Sequence, residues 1–137
     1  MDRVFLDANV LFSAAYRDDT GLRRLWSRRG THLVSSAYAV EEARRNLPPG
    51  RSAAFDELVA QIEVTIHAVA QHVPREVLAL PEKDRPIASA ALAAACTHLL
   101  TGDQRHFGEL YGKRIGGMLV LRPAEYLLGA RAHTRKP

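Results

Sequence analysis

The order of apolar segments along the chain is the feature that most constrains its fold. Short strand-like runs alternate with stretches in which apolar residues recur at helical spacing. The strand-like runs are RVFLD at 3–7, HLVSS at 32–36, VTIHAV at 64–69, THLLTGD at 97–103 and GMLVLRP at 117–123. Because this alternation is typical of βαβ units, the sequence predicts an α/β fold with a parallel sheet of four to five strands flanked by helices.

Helices are predicted between these strands from apolar spacing and from start and stop residues. They cover residues 8–16, 22–30, 36–47, 51–63, 74–80, 84–96, 104–112 and 123–129. Asp84 as a cap followed by Pro86 indicates the start of one helix, and Gly30 the end of another. Six alanines between Ile87 and Cys96 predict a helix that packs closely against the sheet.

Length and composition indicate one globular domain, expected over residues 1–130, followed by a basic, frayed tail at 131–137. No apolar run approaches the ~20 residues that cross a bilayer, so a cytoplasmic protein without membrane segments is expected. Cys96 is the single cysteine, which excludes an internal disulfide and predicts a buried thiol.

Charge favours a nucleic-acid partner but leaves the question open. The formal net charge is +4, and 16 of the 19 basic residues are arginine. The planar guanidinium grips phosphate oxygens in pairs, which suits nucleic acid. GC-rich codons produce the same bias toward arginine and alanine, so composition alone does not identify the partner.

Four acidic residues are predicted to meet at one edge of the sheet. Asp7 and Asp103 follow two strands, and ligand sites of parallel sheets lie at the carboxyl ends of strands. Asp84 opens a helix, and Glu42 falls roughly 110° from the centre of its helix's apolar stripe, at the boundary of the core. Each acid alone is explained as a helix cap or a surface residue. Glu41 lies further toward solvent and has Arg45 as an i+4 ion-pair partner.

Four converging carboxylates favour a divalent cation. Two carboxylates ~5 Å apart repel by roughly 3 kcal/mol at an effective dielectric near 20, and a cation removes that repulsion. All-oxygen ligands suit Mg²⁺ or Mn²⁺, which in a phosphate site support phosphodiester hydrolysis. Around the acids, Asn9 is a candidate to orient Asp7, and the Thr101 hydroxyl is a candidate to hold a carboxylate or a metal-bound water. The candidate RNA contacts are Arg45, Arg85, Arg105 and His106.

Four segments in this order resemble the signature of the PIN-domain ribonucleases: FLDANVLFSA, VSSAYAVEEARRNL, EKDRPIASAAL and LLTGDQRHF. The resemblance implies a three-layer sandwich with an acidic pocket that binds Mg²⁺ or Mn²⁺ and cuts RNA. It assigns the acids of the pocket to Asp7 of D-x-N, Glu42 before the arginine pair, Asp84 of D-x-P and Asp103 of T-x-D. The closing GMLVLRPAEYLLG also suits the family's C-terminal end.

Many members of that family are toxins of VapBC-type pairs, which implies a homodimer and an antitoxin that covers the pocket. Stand-alone members share the same acids, so the motifs leave this point open. The chain departs from the common DTS or DTN in having DAN, which removes a hydroxyl beside Asp7 and leaves Asn9 as the nearer helper.

Two other classes of protein remain as alternatives. One is a PIN fold that binds RNA or protein without cutting. The other is a receiver-type Mg²⁺-dependent signalling domain, which requires paired acids after the first strand and a lysine after a late strand, and the chain has neither. Zinc-ligand spacing, a G-x-S-x-G elbow and a phosphate-binding glycine loop are also missing from the sequence.

Overall fold

The structure is a computed structural model that describes residues 1–66 and 74–129. One sheet contains strands β1 (Asp2–Leu6), β2 (Thr31–Ser36), β3 (Glu63–Thr65), β4 (His98–Leu100), β5 (Arg114–Ile115) and β6 (Met118–Leu121). The strand order is β3-β2-β1-β4-β6-β5, and all pairs are parallel except β5 with β6. The predicted parallel α/β fold is confirmed. The six-stranded sheet exceeds the predicted four to five strands because a hairpin at Gly116 and Gly117 adds the two-residue β5.

Helices cover both faces of this sheet. They are α1 (Ala8–Tyr16), α2 (Ala37–Asn46), α3 (Ser52–Val59), α4 (Arg75–Leu78), α5 (Arg85–Ala93), α6 (Gln104–Phe107) and α7 (Pro123–Leu127). None of the helices within the described ranges is long and apolar enough to cross a membrane. The predicted strand at 64–69 forms as far as Thr65, and positions 67–69, residue 130 and the predicted tail at 131–137 lie outside the described residues.

The predicted α-helix at 22–30 is wrong, because this segment forms the 3₁₀ helix Gly21–Ser27. Side chains fix it at both ends: Arg23 Nε donates to the Ala14 carbonyl at 2.7 Å, and Trp26 Nε1 donates to the Leu58 carbonyl at 3.0 Å. These contacts hold the segment at both ends while its turns close by i→i+3 hydrogen bonds. The predicted helix at 104–112 is likewise split into α6 and a 3₁₀ turn at Gly108–Leu110.

The core lies around β1, the central strand. Val4, Phe5 and Leu6 are fully buried between the helical layers. On α5 the alanines at 88, 90 and 91 are buried, which confirms that this helix packs closely on the sheet. Cys96 is buried too, and burial raises the pKa of its thiol to about 11, so the thiol is unreactive at neutral pH.

The chain path creates a switch point beside β1. From β1 the chain builds β2 and β3 on one side, then crosses to place β4 on the other. Loops that leave β1 and β4 therefore diverge to opposite sides and open a crevice at their carboxyl ends. The backbone N–H of Asp7 donates to the Leu100 carbonyl at 3.1 Å, which joins the two strand ends directly. This crevice is where the predicted acids are expected.

Candidate active site

Asp7 follows β1 and lies at the floor of the crevice with only 5% of its surface exposed. Its Oδ1 accepts from the Ala8 backbone N–H at 2.6 Å and caps α1. Its Oδ2 accepts from the Thr101 hydroxyl at 2.8 Å and from Asn9 Nδ2 at 3.3 Å. The carboxylate is thus fixed in orientation by groups from the ends of both β1 and β4.

Asn9 and Thr101 form the support predicted for Asp7. The Thr101 hydroxyl is fully buried and also accepts from Asn9 Nδ2 at 3.3 Å and from the Asp103 backbone N–H at 3.0 Å. Asn9 Oδ1 accepts from the Gly102 backbone N–H at 2.8 Å. Each side chain therefore contacts the loop after β4, so the position of Asp7 is tied to that of Asp103.

Asp84 and Asp103 reach the crevice from the starts of α5 and α6. Asp103 caps α6, accepting from the His106 backbone N–H at 3.2 Å, as its sequence position predicts. Asp84 makes no side-chain cap bond to α5, which corrects the cap interpretation, and its carboxylate is turned toward the crevice instead. His106 Nδ1 lies between them, 2.8 Å from Asp84 Oδ2 and 2.9 Å from Asp103 Oδ2.

All four predicted acids line a single cavity of about 340 Å³. Glu42 enters it from α2 and is half-buried, as its place at the edge of the apolar stripe predicts. The other lining residues are Ala8, Asn9, Phe12, Ala43, Asn46 and Lys83. The chain thus gathers acids separated by nearly a hundred residues into one hollow.

The clustering has an electrostatic consequence. Burial raises the pKa of Asp7 to about 6, and the charges of Asp84 and Glu42 add to this, while hydrogen bonds from Thr101 and Ala8 partly oppose it. Burial is also the largest cause that raises the pKa of Asp84, with the charge of Asp103 acting in the same direction and His106 against it. The site therefore resists full ionisation in the absence of added positive charge.

None of the four predicted RNA contacts, Arg45, Arg85, Arg105 and His106, is among the residues that line the acidic cavity, and Arg105 and His106 line a separate pocket. Arg45 and Arg105 are exposed, and Arg85 is half-buried with its Nε donating to the Leu80 carbonyl at 3.1 Å. The prediction of an ion pair between Glu41 and Arg45 is wrong, because these two side chains form no salt bridge within the described part of the chain. His106 points its buried Nδ1 at Asp84 and Asp103.

Three cavity residues were not identified from the sequence. Lys83 directly precedes Asp84 and contributes an ammonium group to the lining of the cavity. Asn46 lies one turn after Glu42 on α2 and lines the cavity as well. Phe12 lies on α1 and stacks on Tyr16, with ring centroids 5.3 Å apart. The i+4 spacing of Asn46 from Glu42 is a signal that sequence reading offers; Lys83 shows its role only once the fold is known.

The donor set fits a divalent cation. Asp84 is 8% exposed, and its Oδ2 makes no hydrogen bond of good geometry to any described residue despite the short distance to His106. Ligand atoms of Asp84, Asp103 and His106 lie within 4.8 Å of one another. Buried charges of this kind are stabilised by pairing or by metal coordination. The oxygen-rich composition of the cavity suits a hard cation.

The strand order and the acid-lined cavity at the carboxyl ends of the strands define a PIN-like α/β domain. The family model of the PIN domain matches residues 3–105, and the chain belongs to that family. Because the chain belongs to the PIN domain family, the alternative of a receiver-type signalling domain is excluded. No curated protein matches the chain significantly.

Two solved structures share the fold. VapBC2 from Rickettsia felis, bound to a DNA fragment from its promoter, matches with a TM-score of 0.58 at 13% identity, over 88% of this chain and 98% of that chain. VapBC-1 from nontypeable Haemophilus influenzae matches with a TM-score of 0.56 at 14% identity, over 89% of this chain and 98% of that chain. At these identities the likeness establishes the PIN fold.

Proposed function

We propose that this protein is a metal-dependent endoribonuclease that hydrolyses phosphodiester bonds of RNA. The observation that carries the proposal is the convergence of Asp7, Glu42, Asp84 and Asp103 on one cavity at the switch point of the sheet. Membership of the PIN domain family supports it, because PIN domains are typically nucleases.

The four carboxylates would hold Mg²⁺ or Mn²⁺. When bound, such a cation supplies Lewis acidity and neutralises charge on the phosphate during attack by water. The chain's own contribution is to fix the ligands. Thr101 and Asn9 hold Asp7 Oδ2 in one direction, and the Ala8 N–H holds Oδ1, so the carboxylate needs little reorganisation. Lys83 adds positive charge at the cavity for the substrate's phosphates.

An aromatic pair at the cavity supports a single-stranded or looped RNA substrate. Phe12 lines the cavity, and the Tyr16 ring, 50% exposed, stacks on it with an interplanar angle of 25°. Unpaired bases stack on such exposed rings, whereas bases inside a duplex are inaccessible to them. We propose that Arg45, Arg85 and Arg105 contact flanking phosphates; Arg45 and Arg105 are exposed, and Arg85 is half-buried.

A toxin role within a VapBC-type pair extends this proposal. Both solved structures named above are VapBC assemblies, and the acidic cavity is the part of the surface that a protein inhibitor needs to cover. We therefore propose an antitoxin partner, a homodimeric toxin and a cytoplasmic site of action. Co-expression with a candidate antitoxin and purification of a stable complex would test the partner.

One observation favours the alternative of a PIN fold that binds RNA or protein without cutting it. The His106 imidazole already lies between Asp84 and Asp103, where it supplies an internal positive partner when protonated. If the protein is a non-catalytic module, its affinity for RNA is expected to be the same with and without metal. The melting temperature is then also expected not to rise when Mn²⁺ is added.

Incubation of the metal-free protein with a mixed RNA pool tests the nuclease proposal. We expect cleavage after Mg²⁺ or Mn²⁺ is added, with discrete ends mapped by sequencing, and loss of cleavage in Asp103→Asn. Asparagine at this position keeps an oxygen that can cap α6, so the variant is expected to fold. Thermal melting with added Mn²⁺ measures binding to the folded state independently.

Asp19→Asn is the matched control, because Asp19 is an exposed aspartate outside the cavity. It should cleave as the unaltered protein does. Equal cleavage by the unaltered protein and Asp103→Asn would instead indicate a contaminating nuclease and remove the catalytic proposal.

A further inference from the structure

His106 is held close to the carboxylates of two cavity residues, Asp84 and Asp103, although it does not itself line the cavity. Its backbone N–H donates to Asp103 Oδ1 at 3.2 Å, and the next residue, Phe107, is fully buried and anchors α6. The imidazole is therefore positioned by the fold, with 20% of its side chain exposed. Its Nδ1 is buried and faces the two carboxylates.

The spacing of the three side chains matches that of metal ligands. His106 Nδ1 lies 2.8 Å from Asp84 Oδ2 and 2.9 Å from Asp103 Oδ2. Neighbouring ligands of a six-coordinate ion with bonds of about 2.1 Å lie about 3.0 Å apart. A cation can thus enter between these atoms with small side-chain movements.

A single hydrogen bond from His106 Nδ1 cannot satisfy both carboxylates in this arrangement. Neither His106 Nδ1 nor Asp84 Oδ2 makes a hydrogen bond of good geometry within the described part of the chain, although both atoms are buried. A ring nitrogen has one N–H or one lone pair, and here it faces two carboxylate oxygens at once. A metal ion would satisfy the nitrogen lone pair and both oxygens together, without an unpaired buried atom.

We propose that His106 binds the divalent cation through Nδ1 beside Asp84 and Asp103, and that this nitrogen ligand makes the site prefer Mn²⁺ to Mg²⁺. The inference rests on the proposed nuclease function and concerns the same site. Mg²⁺ binds oxygen ligands and gives up its waters reluctantly, whereas first-row transition ions accept imidazole readily.

Electron paramagnetic resonance of bound Mn²⁺ tests the proposal without any substitution. Manganese ligated by the imidazole gives a ¹⁴N coupling in electron spin echo spectra of the unaltered protein. Mg²⁺ competition at one fixed pH then gives the ratio of the two affinities. Bound Mn²⁺ without a ¹⁴N coupling would overturn the assignment, whatever the variants do.

His106→Ala separates a ligand from a counter-charge by the sign of its effect. A lost ligand weakens Mn²⁺ binding about tenfold or more and changes Mg²⁺ binding much less. If His106 only fills the site as a cation, its removal instead tightens the binding of both ions. His32→Ala is the matched control, because His32 pairs with Glu63 away from the cavity, at 2.8 Å.

The outcomes distinguish this inference from the proposed function. Tight Mn²⁺ binding without ¹⁴N coupling, with RNA cleavage intact, overturns the role of His106 alone. Failure of the unaltered protein to bind either ion overturns both.

Discussion

In the absence of metal, the stability of Asp7→Asn relative to the unaltered protein is predicted to increase as the pH rises from acidic to neutral. Burial raises the pKa of Asp7 to about 6 from the 3.8 of a free aspartate. A shift of ~2 units corresponds to about 3 kcal/mol, at 1.36 kcal/mol per unit. Asp7 is 5% exposed, so solvent screening reduces this figure little.

The sign of the effect follows from proton binding. Between pH 3.8 and 6 the folded protein keeps a proton on Asp7 that the unfolded chain has lost. The stabilising contribution of the protonated carboxyl is complete below the lower value and disappears as the pH rises through the higher one. The free energy of unfolding of the metal-free protein therefore loses up to about 3 kcal/mol from this residue across that interval.

The comparison with Asp7→Asn isolates this contribution. The amide presents a donor where Asp7 Oδ2 accepts from Thr101 and Asn9, which costs about 1–3 kcal/mol at every pH. That cost is constant, so it cancels when the difference between the two proteins is followed with pH. We expect the difference to move in favour of Asp7→Asn by roughly 2–3 kcal/mol between pH 4 and pH 7.5.

Urea denaturation at several pH values, with metal removed, provides the measurement. Asp19→Asn serves as the exposed control and should follow the unaltered protein within about 0.5 kcal/mol throughout. A difference between Asp7→Asn and the unaltered protein that stays constant with pH would refute the reasoning. Adding Mn²⁺ at pH 7.5 should then restore the stability of the unaltered protein and have little effect on Asp7→Asn.

Two further substitutions test the support of the site and its substrate contact. Thr101→Val removes the hydroxyl that donates to Asp7 Oδ2 and accepts from the Asp103 N–H, so we expect a loss of about 1–3 kcal/mol in urea denaturation. Because the Thr101 hydrogen bond lowers the pKa of Asp7, the acid limb of the cleavage–pH profile should move to higher pH. Tyr16→Ala removes a half-exposed stacking ring, so the KM for single-stranded RNA should rise about fivefold or more with kcat unchanged, whereas Tyr16→Phe should behave as the unaltered protein.

The acids could be located from sequence because their positions follow from regular geometry. Asp7 and Asp103 come directly after strands that lie side by side, and parallel strands end at the same edge. A helix that returns to a parallel sheet begins at that edge, which places Asp84 there as well. The inward-facing position of Glu42 could be predicted from the apolar periodicity of α2, because a residue at the border of the apolar stripe faces both the core and the cavity.

The parts that sequence could not predict depend on side-chain directions. The position of His106 between two acids requires the turn at Asp103 that starts α6, which has no signature in the pattern of apolar residues. Lys83 adjoins Asp84 in the chain, yet its contribution to the cavity depends on the 3₁₀ turn Glu82–Asp84. The 3₁₀ helix at Gly21–Ser27 is held by contacts to Ala14 and Leu58 outside the segment, which the local spacing of apolar residues does not encode.

The strand order brings together acids that repel one another when they are ionised, which lowers the stability of the metal-free fold. β1 and β4 are neighbouring strands, and the bond from the Asp7 N–H to the Leu100 carbonyl joins their ends, so Asp7 and Asp103, which follow those strands, are held close together. The Thr101 and Asn9 contacts tighten the same junction, and burial then raises the pKa of Asp7. A cation relieves the resulting repulsion, so metal binding and folded-state stability are expected to be coupled through this one carboxylate.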